Sequence, residues 1–387
     1  MAFDFATPVE RRAPEGQYAS QKWHRYAADV LPLWVADMDF HSPPAVIDAL
    51  QRRVAHGVYG YGEVPATLSE ALCQWSAHHY AWSIEPEWQQ WLPGVVPALH
   101  FAAMALTQPG EGVLTIAPIY PPFLAVAERT GRLAQQAMLA EPAAPGEPWR
   151  LDIEALEAAI TPQTRLLLWC HPHNPTGRVW TLRELEQLAA VVERHDLWVV
   201  SDELHCDLLL DEGARHRPLA ALFPELAKRT ITLWAPSKTF NLAGLTSACA
   251  VIPDPTLRHR FAEATKGFLP DGNVLGLVAA EAAYREGEPW RQALLDVLRR
   301  HRTALEARVA TWPGVSLSAP ESTYLAWLDM RDAGLGETPA QTLLEKAGVA
   351  LSEGAAFGCP GFVRLNFGTT ASQLEAALSR MDALLKA

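Results

Sequence analysis

Five short, nearly unbroken apolar runs limit what this chain can fold into: GVLTIAP (112–118), TRLLLWC (164–170), LWVVSD (197–202), TITLWAPS (230–237) and ACAVI (248–252). None alternates polar with apolar, so none has a face suited to water; strands of this kind are covered on both sides. Between the second and third lies TLRELEQLAAVVERHD (181–196). There Thr181 and Glu184 have capping-box spacing, and Leu185, Leu188 and Val192 repeat on one helical face. Strand, helix and strand in this order predict an α/β domain with a mainly parallel sheet between layers of helices.

The pattern changes near residue 286. PWRQALLDVLRRHRTALEARVATW reads as one long helix with Pro289 at its start. TYLAWLDM, GVALSE and FVRLNFG follow as three short strands, and ASQLEAALSRMDALLKA as a closing amphipathic helix. This predicts a large α/β domain over 46–285 and a smaller α+β domain from 286–387 together with 1–45. Residues 1–45 have little periodicity and several prolines, as expected of an arm lying across the other parts. EPAAPGEP (141–148) reads as a loop. No internal repeat or low-complexity tract appears.

With 387 residues, 49% of them hydrophobic and 20% charged, the chain has material for an ordered core of more than one unit. A net charge of -12 argues against a nucleic-acid binder, which carries a basic patch. No apolar run reaches membrane-spanning length. The N-terminal MAFDFATPVERRAPEG has no apolar segment of signal-peptide type. The five cysteines, Cys73, Cys170, Cys206, Cys249 and Cys359, are scattered with no CxxC spacing, as in a reducing cytoplasm.

Ligands in open α/β sheets bind beyond the carboxyl ends of the strands, so the residues that follow each run carry the chemistry. These are Tyr120, Asn174 in HPHNPTG, Asp202 with His205 in SDELH, and Ser237-Lys238. Of the six lysines only Lys238 directly ends an apolar run. Burying its ammonium costs several kcal/mol unless it is paired or neutralised. Either its head reaches solvent along a packed stem, or its nitrogen is bonded to something. A lysine, a carboxylate, an amide and an aromatic ring meet the needs of pyridoxal phosphate. The lysine bonds the aldehyde, and the carboxylate keeps the pyridine nitrogen protonated. LPGVVPALHFAAMAL (92–106) adds a helix opening at Gly94, whose free N–H groups suit a phosphate, and Ser237 can add a hydroxyl. Each residue also has a plainer role: Asp202 as a helix cap, Asn174 and Gly94 as turn residues, Tyr120 as core. His171, His173 and His205-Cys206-Asp207 invite a metal reading, but lack the regular four-ligand spacing of a closed site, and no metal is expected.

HPHNPTG, SDELH and SKTFNLAGL resemble the class I/II aminotransferase group of fold-type I pyridoxal-phosphate enzymes. LPLWVADMDF (31–40), VYGYGE (58–63) and HCDLLL narrow the resemblance to the MalY/PatB-like cystathionine β-lyases, which are carbon–sulfur lyases. The resemblance spans nearly the whole chain and implies a seven-stranded sheet in the large domain. It implies that Lys238 bonds the cofactor, Asp202 pairs with its pyridine nitrogen and Asn174 contacts its phenolic oxygen. Tyr120 stacks on the ring and acts in catalysis, and Leu204 packs the other face. Ser237, Val95, Val96 and His205 belong to the cofactor set, while Arg364, Asn174 and Ala36 belong to the substrate set. Tyr61 reaches the phosphate of a neighbouring subunit, implying a homodimer with shared sites. Two positions depart from the aminotransferase pattern. His205 replaces a tyrosine three residues after the aspartate, and Thr246 stands where many members place a phosphate-binding arginine. The implied reaction is α,β-elimination from cystathionine or a related cysteine S-conjugate. An aminotransferase and a cofactor-binding regulator without turnover remain as alternatives.

Overall fold

The computed structural model describes residues 3–12, 20–270 and 272–386. The expected arm and the N-terminal reading therefore lie partly outside the described residues.

The five apolar runs all become strands of one seven-stranded sheet, with order β2-β8-β7-β6-β5-β3-β4. These are β2 (Gln89–Leu92), β3 (Gly112–Ala117), β4 (Leu133–Met138), β5 (Thr164–Cys170), β6 (Trp198–Asp202), β7 (Thr230–Trp234) and β8 (Ala248–Val251). The pairs β3·β4, β3·β5, β5·β6 and β6·β7 are parallel, whereas β8 runs antiparallel to both of its neighbours. The two strands without an apolar run, β2 and β4, are the two edges. An edge strand has one side open, so QQWL and LAQQAM suffice there; four of the six β4 residues are exposed. The strand expected over 230–237 stops at Trp234, before Pro236.

Apolar layers cover both faces of the sheet. The helix Val95–Leu106 packs Ala98, Leu99 and Ala102 on one face with Leu166, Val200 and Leu233. The helix Leu182–Arg194 packs Leu185, Leu188 and Val192 on the other with Leu167 and Val199, and opens on the expected Thr181–Glu184 capping box.

After the sheet come the helix Glu288–Val309, with Pro289 in its first turn, and a closing helix, Ala371–Leu385. Between them β9 (Ser316–Leu317), β10 (Leu325–Asp329), β12 (Ser352–Glu353) and β13 (Phe362–Asn366) form an antiparallel sheet in the order β12-β13-β10-β9. GVALSE, expected as one strand, is divided. Its first part, β11 (Val349–Ala350), pairs in parallel with β1 (Leu31–Pro32) of the N-terminal segment. The arm is thus tied down by strand pairing. We propose a division near residue 286 on the ground that the large sheet is complete before it and the small one begins after it.

Candidate active site

Tyr120, Asn174, Asp202, Leu204, His205, Ser237 and Lys238 all line one cavity of ≈ 840 Å³ at the carboxyl ends of the parallel strands. Gly94, Val95 and Val96 line it from the helix Val95–Leu106, Ala36 from the N-terminal segment and Arg364 from β13.

Lys238 sits in a tight turn after β7, closed by Phe240 N–H to Pro236 O (2.9 Å) and Leu242 N–H to Ser237 O (2.9 Å). Its neighbours fix the turn from outside: Thr239 Oγ1 donates to Asp207 Oδ2 (3.1 Å) and Asn241 Nδ2 to Met38 O (2.9 Å). Lys238 Nζ donates to Ala36 O (2.6 Å), which also accepts from Tyr324 Oη (3.0 Å). Burial first, and the Arg364 charge second, lower the amine to about 8. Asp202 ends β6 buried, with Oδ1 accepting from Leu204 N–H (3.1 Å). Burial lifts it to about 7. It forms no ion pair among the described residues. A carboxylate so placed is short of a cation, which a protonated pyridine nitrogen would supply.

The other end of the cavity is built for an anion. The helix Val95–Leu106 begins at Gly94 without a side-chain cap, so its first N–H groups remain available. Ser247 Oγ is buried without a partner, and Ser237, Thr246 and Ser247 line the same cavity. Thr246 takes φ 46, a left-handed conformation rare for a β-branched residue. Asn273 Nδ2 holds it, donating to Leu245 O (2.9 Å) and Thr246 Oγ1 (3.3 Å). These donors match a phosphate, so the residues present fit pyridoxal phosphate at both ends.

Arg364 is buried, its Nη1 donating to Asn174 Oδ1 (3.0 Å) and its Nη2 to Trp34 O (3.1 Å). Its guanidinium stands 4.8 Å from the Phe357 ring centroid, and burial lowers it to about 10. His205 is held near 3 by burial, with Lys238 and Arg364 adding to the effect, so its imidazole is neutral. Nearby histidines pack locally: the His171 and His216 rings lie tilted with centroids 4.6 Å apart, His216 Nε2 meets Glu203 Oε2 at 2.7 Å, and His173 Nδ1 meets Thr176 Oγ1 at 2.8 Å. Tyr61 does not line the cavity; it is 100% exposed.

The cavity also recruits Arg25, Tyr26, Trp34 and Phe357. Trp34 lies inside LPLWVADMDF, whose motif character could have flagged it. No pattern marks Arg25 or Tyr26, because a short segment folding back over a distant sheet leaves no periodicity.

A family model described as aminotransferase class I and II matches residues 28–381. The cystathionine beta-lyase PatB of Bacillus subtilis (strain 168) is 37% identical over 378 residues, covering 95% of this chain and 96% of its own. A crystal structure of OvoB is 44% identical and superposes with a TM-score of 0.94, covering 100% of both chains. Cystalysin from Treponema denticola, whose crystal structure contains pyridoxal 5'-phosphate, is 32% identical with a TM-score of 0.93, covering 100% of this chain and 99% of its own.

Proposed function

The chain belongs to the class I and II aminotransferase family, and from that premise we propose that it is a pyridoxal-phosphate-dependent carbon–sulfur β-lyase. It cleaves cystathionine or a related cysteine S-conjugate to a thiol, pyruvate and ammonia. The observation that carries this reading is the cavity in which Lys238, Asp202 and Arg364 meet above an uncapped helix start.

When bound, pyridoxal phosphate supplies an aldehyde for an amine and a ring that accepts the electron pair released at the substrate Cα. Arg364 grips the substrate carboxylate, a task suited to its forked donors. Lys238, with its amine lowered to about 8, exchanges a proton at Cα near neutral pH. Asp202 gives up its proton once a cation faces it and holds that charge in place. Tyr120 and Leu204 confine the ring; Asn174 contributes an amide beside Arg364. Neutral His205 adds no third cation beside Lys238 and Arg364.

The same reading takes the protein as a homodimer with shared sites, in which Tyr61 contacts the partner's phosphate site. Its support is the stretch Val58, Tyr59, Tyr61 and Val64, with exposures of 61%, 52%, 100% and 38%. So much apolar and aromatic surface in one stretch is a common mark of an interface. No helix is long and apolar enough to cross a membrane among the described residues, and a cytoplasmic location is part of the proposal. Product analysis with cystathionine tests the reaction. Pyruvate and a free thiol are expected; conversion of the cofactor to its pyridoxamine form without thiol release means an aminotransferase.

A further inference from the structure

We propose that Arg25 forms a second anion-binding subsite in this cavity, one that takes a carboxylate on the sulfur-bearing fragment that leaves. The inference rests on the lyase reading and names its substrate class: cysteine S-conjugates whose thiol fragment is itself an acid.

Arg25 follows the one-turn helix Gln21–His24 and lines the same cavity as Lys238 and Arg364. Its guanidinium carbon stands 4.8 Å from the centroid of the Trp34 ring. Arg25 is itself exposed while lining the cavity, so its guanidinium is open to solvent and to an entering ligand. Among the described residues the Arg25 side chain has no ion pair and no hydrogen bond. A guanidinium laid over an aromatic ring keeps its edge N–H groups free for a carboxylate. Two acids line the cavity and neither forms an ion pair with Arg25, although Glu353 Oε1 is buried without a partner. Asp202 lies beside the lysine, and Glu353 Oε2 accepts the Ala340 N–H (3.1 Å).

The subsite is held firmly. Trp34 Nε1 donates to Lys22 O (3.3 Å), and Tyr26 meets the Trp34 ring edge-on at 6.2 Å. Lys22 itself is wholly buried, with Nζ 2.7 Å from Asp39 Oδ2. A buried ion pair thus anchors the segment that presents Arg25. Arg364 would hold the α-carboxylate of a diacid conjugate while Arg25 receives the distal one.

A pair of conjugates differing only in charge tests this: S-(2-carboxyethyl)-L-cysteine and its carboxamide. Pyruvate release by the wild-type holoenzyme should favour the acid by about tenfold or more in kcat/KM, as one charge-assisted contact provides. Arg25→Gln should bring the ratio close to one through a rise in KM for the acid, and Arg25→Lys should recover part of it. The amide acts as the folding control in every variant. Calorimetric titration of both conjugates into Lys238→Ala protein should show the same preference in binding. An equal response of the wild type to acid and amide, or a ratio unchanged in Arg25→Gln, overturns the subsite. Absence of pyruvate from either conjugate overturns the lyase reading beneath it.

Discussion

Lys238 and Lys22 both turn an ammonium inward, and their partners separate their roles. Lys22 faces carboxylates, Asp39 at 2.7 Å and Asp37 at 3.5 Å. Lys238 faces a backbone carbonyl and a neighbouring arginine. A base whose folded value drops from 10.5 to about 8 destabilises the cofactor-free fold while protonated; that cost disappears as pH rises from about 8 to the unfolded value. Amine labelling of Lys238 in cofactor-free protein should therefore have a midpoint near 8. Arg364→Met should raise the midpoint by removing a positive charge, and Asp202→Asn should lower it by removing a negative one. A midpoint at the ordinary lysine value in all three proteins would contradict this account. In the holoenzyme, borohydride should fix the cofactor to the peptide bearing Lys238 and to no other. Asp202 gives a second contrast. Its hydrogen bond from Leu204 N–H is the local role foreseen for a cap, and an amide serves there almost as well, within about 1 kcal/mol. Its raised value means that the empty fold loses stability as pH rises from the unfolded value of 3.8 to about 7, where the cost of ionisation is fully present. Asp202→Asn should leave cofactor-free stability at pH 8 equal or slightly higher, yet reduce turnover by orders of magnitude. Equal activity would return Asp202 to a purely structural role.

Among the elements, the segment from Trp34 to Phe40 carries the most constraints. Its carbonyls accept side chains from three parts of the chain: Arg11 and Lys22 of the N-terminal segment, Lys238 and Asn241 of the lysine turn, and Tyr324, Arg364 and Asn366 in and beside β10 and β13. A two-residue strand, β1, has too few ladder bonds to hold such a segment alone, so the charge cluster supplies the rest. Removing one partner of a buried ion pair leaves an uncompensated charge and costs about 3 kcal/mol or more. Lys22→Met should destabilise the protein by roughly that amount in urea unfolding, softened by the Arg11 and Trp23 contacts that Asp39 retains. A change below about 0.5 kcal/mol would mean the cluster is a solvated surface pair. Behind the Thr246 turn, the helix Val274–Glu286 comes so close that a Cβ on Gly276 would lie 2.2 Å from Leu245 O. Gly276→Ala should push the strained Thr246 turn outward and weaken cofactor binding, measured as faster cofactor loss on dialysis; unchanged retention would separate that turn from the phosphate site.

At the scale of the whole molecule, Tyr61 stands fully exposed in a glycine-flanked loop outside the cavity. If it serves a partner's phosphate site, Tyr61→Phe should weaken cofactor affinity by roughly ten- to hundredfold, the worth of one charge-assisted hydrogen bond. Mixing inactive Tyr61→Ala with inactive Lys238→Ala should restore activity. Random exchange makes half the dimers hybrids, each with one intact site, so recovery approaches about a quarter of the wild-type rate per subunit. No recovery after confirmed exchange would mean that Tyr61 serves its own chain.

Where burial is complete, the sequence alone determined the structure. The five central strands had to be apolar on both faces, so each was legible, and the residues beyond them followed by chain order to one side of the sheet. Lys238, Asp202, Asn174 and Tyr120 stood out for that reason. The edge strands β2 and β4 were not legible, because one open side relaxes the demand for apolar residues. Only the tertiary structure brought Ala36, Tyr324, Trp34 and Arg25 to the lysine. Ala36 O and Lys238 Nζ are 202 residues apart along the chain. Their contact depends on how the N-terminal segment folds back to the turn after β7, and a contact across that separation imprints no local pattern on the residues that make it.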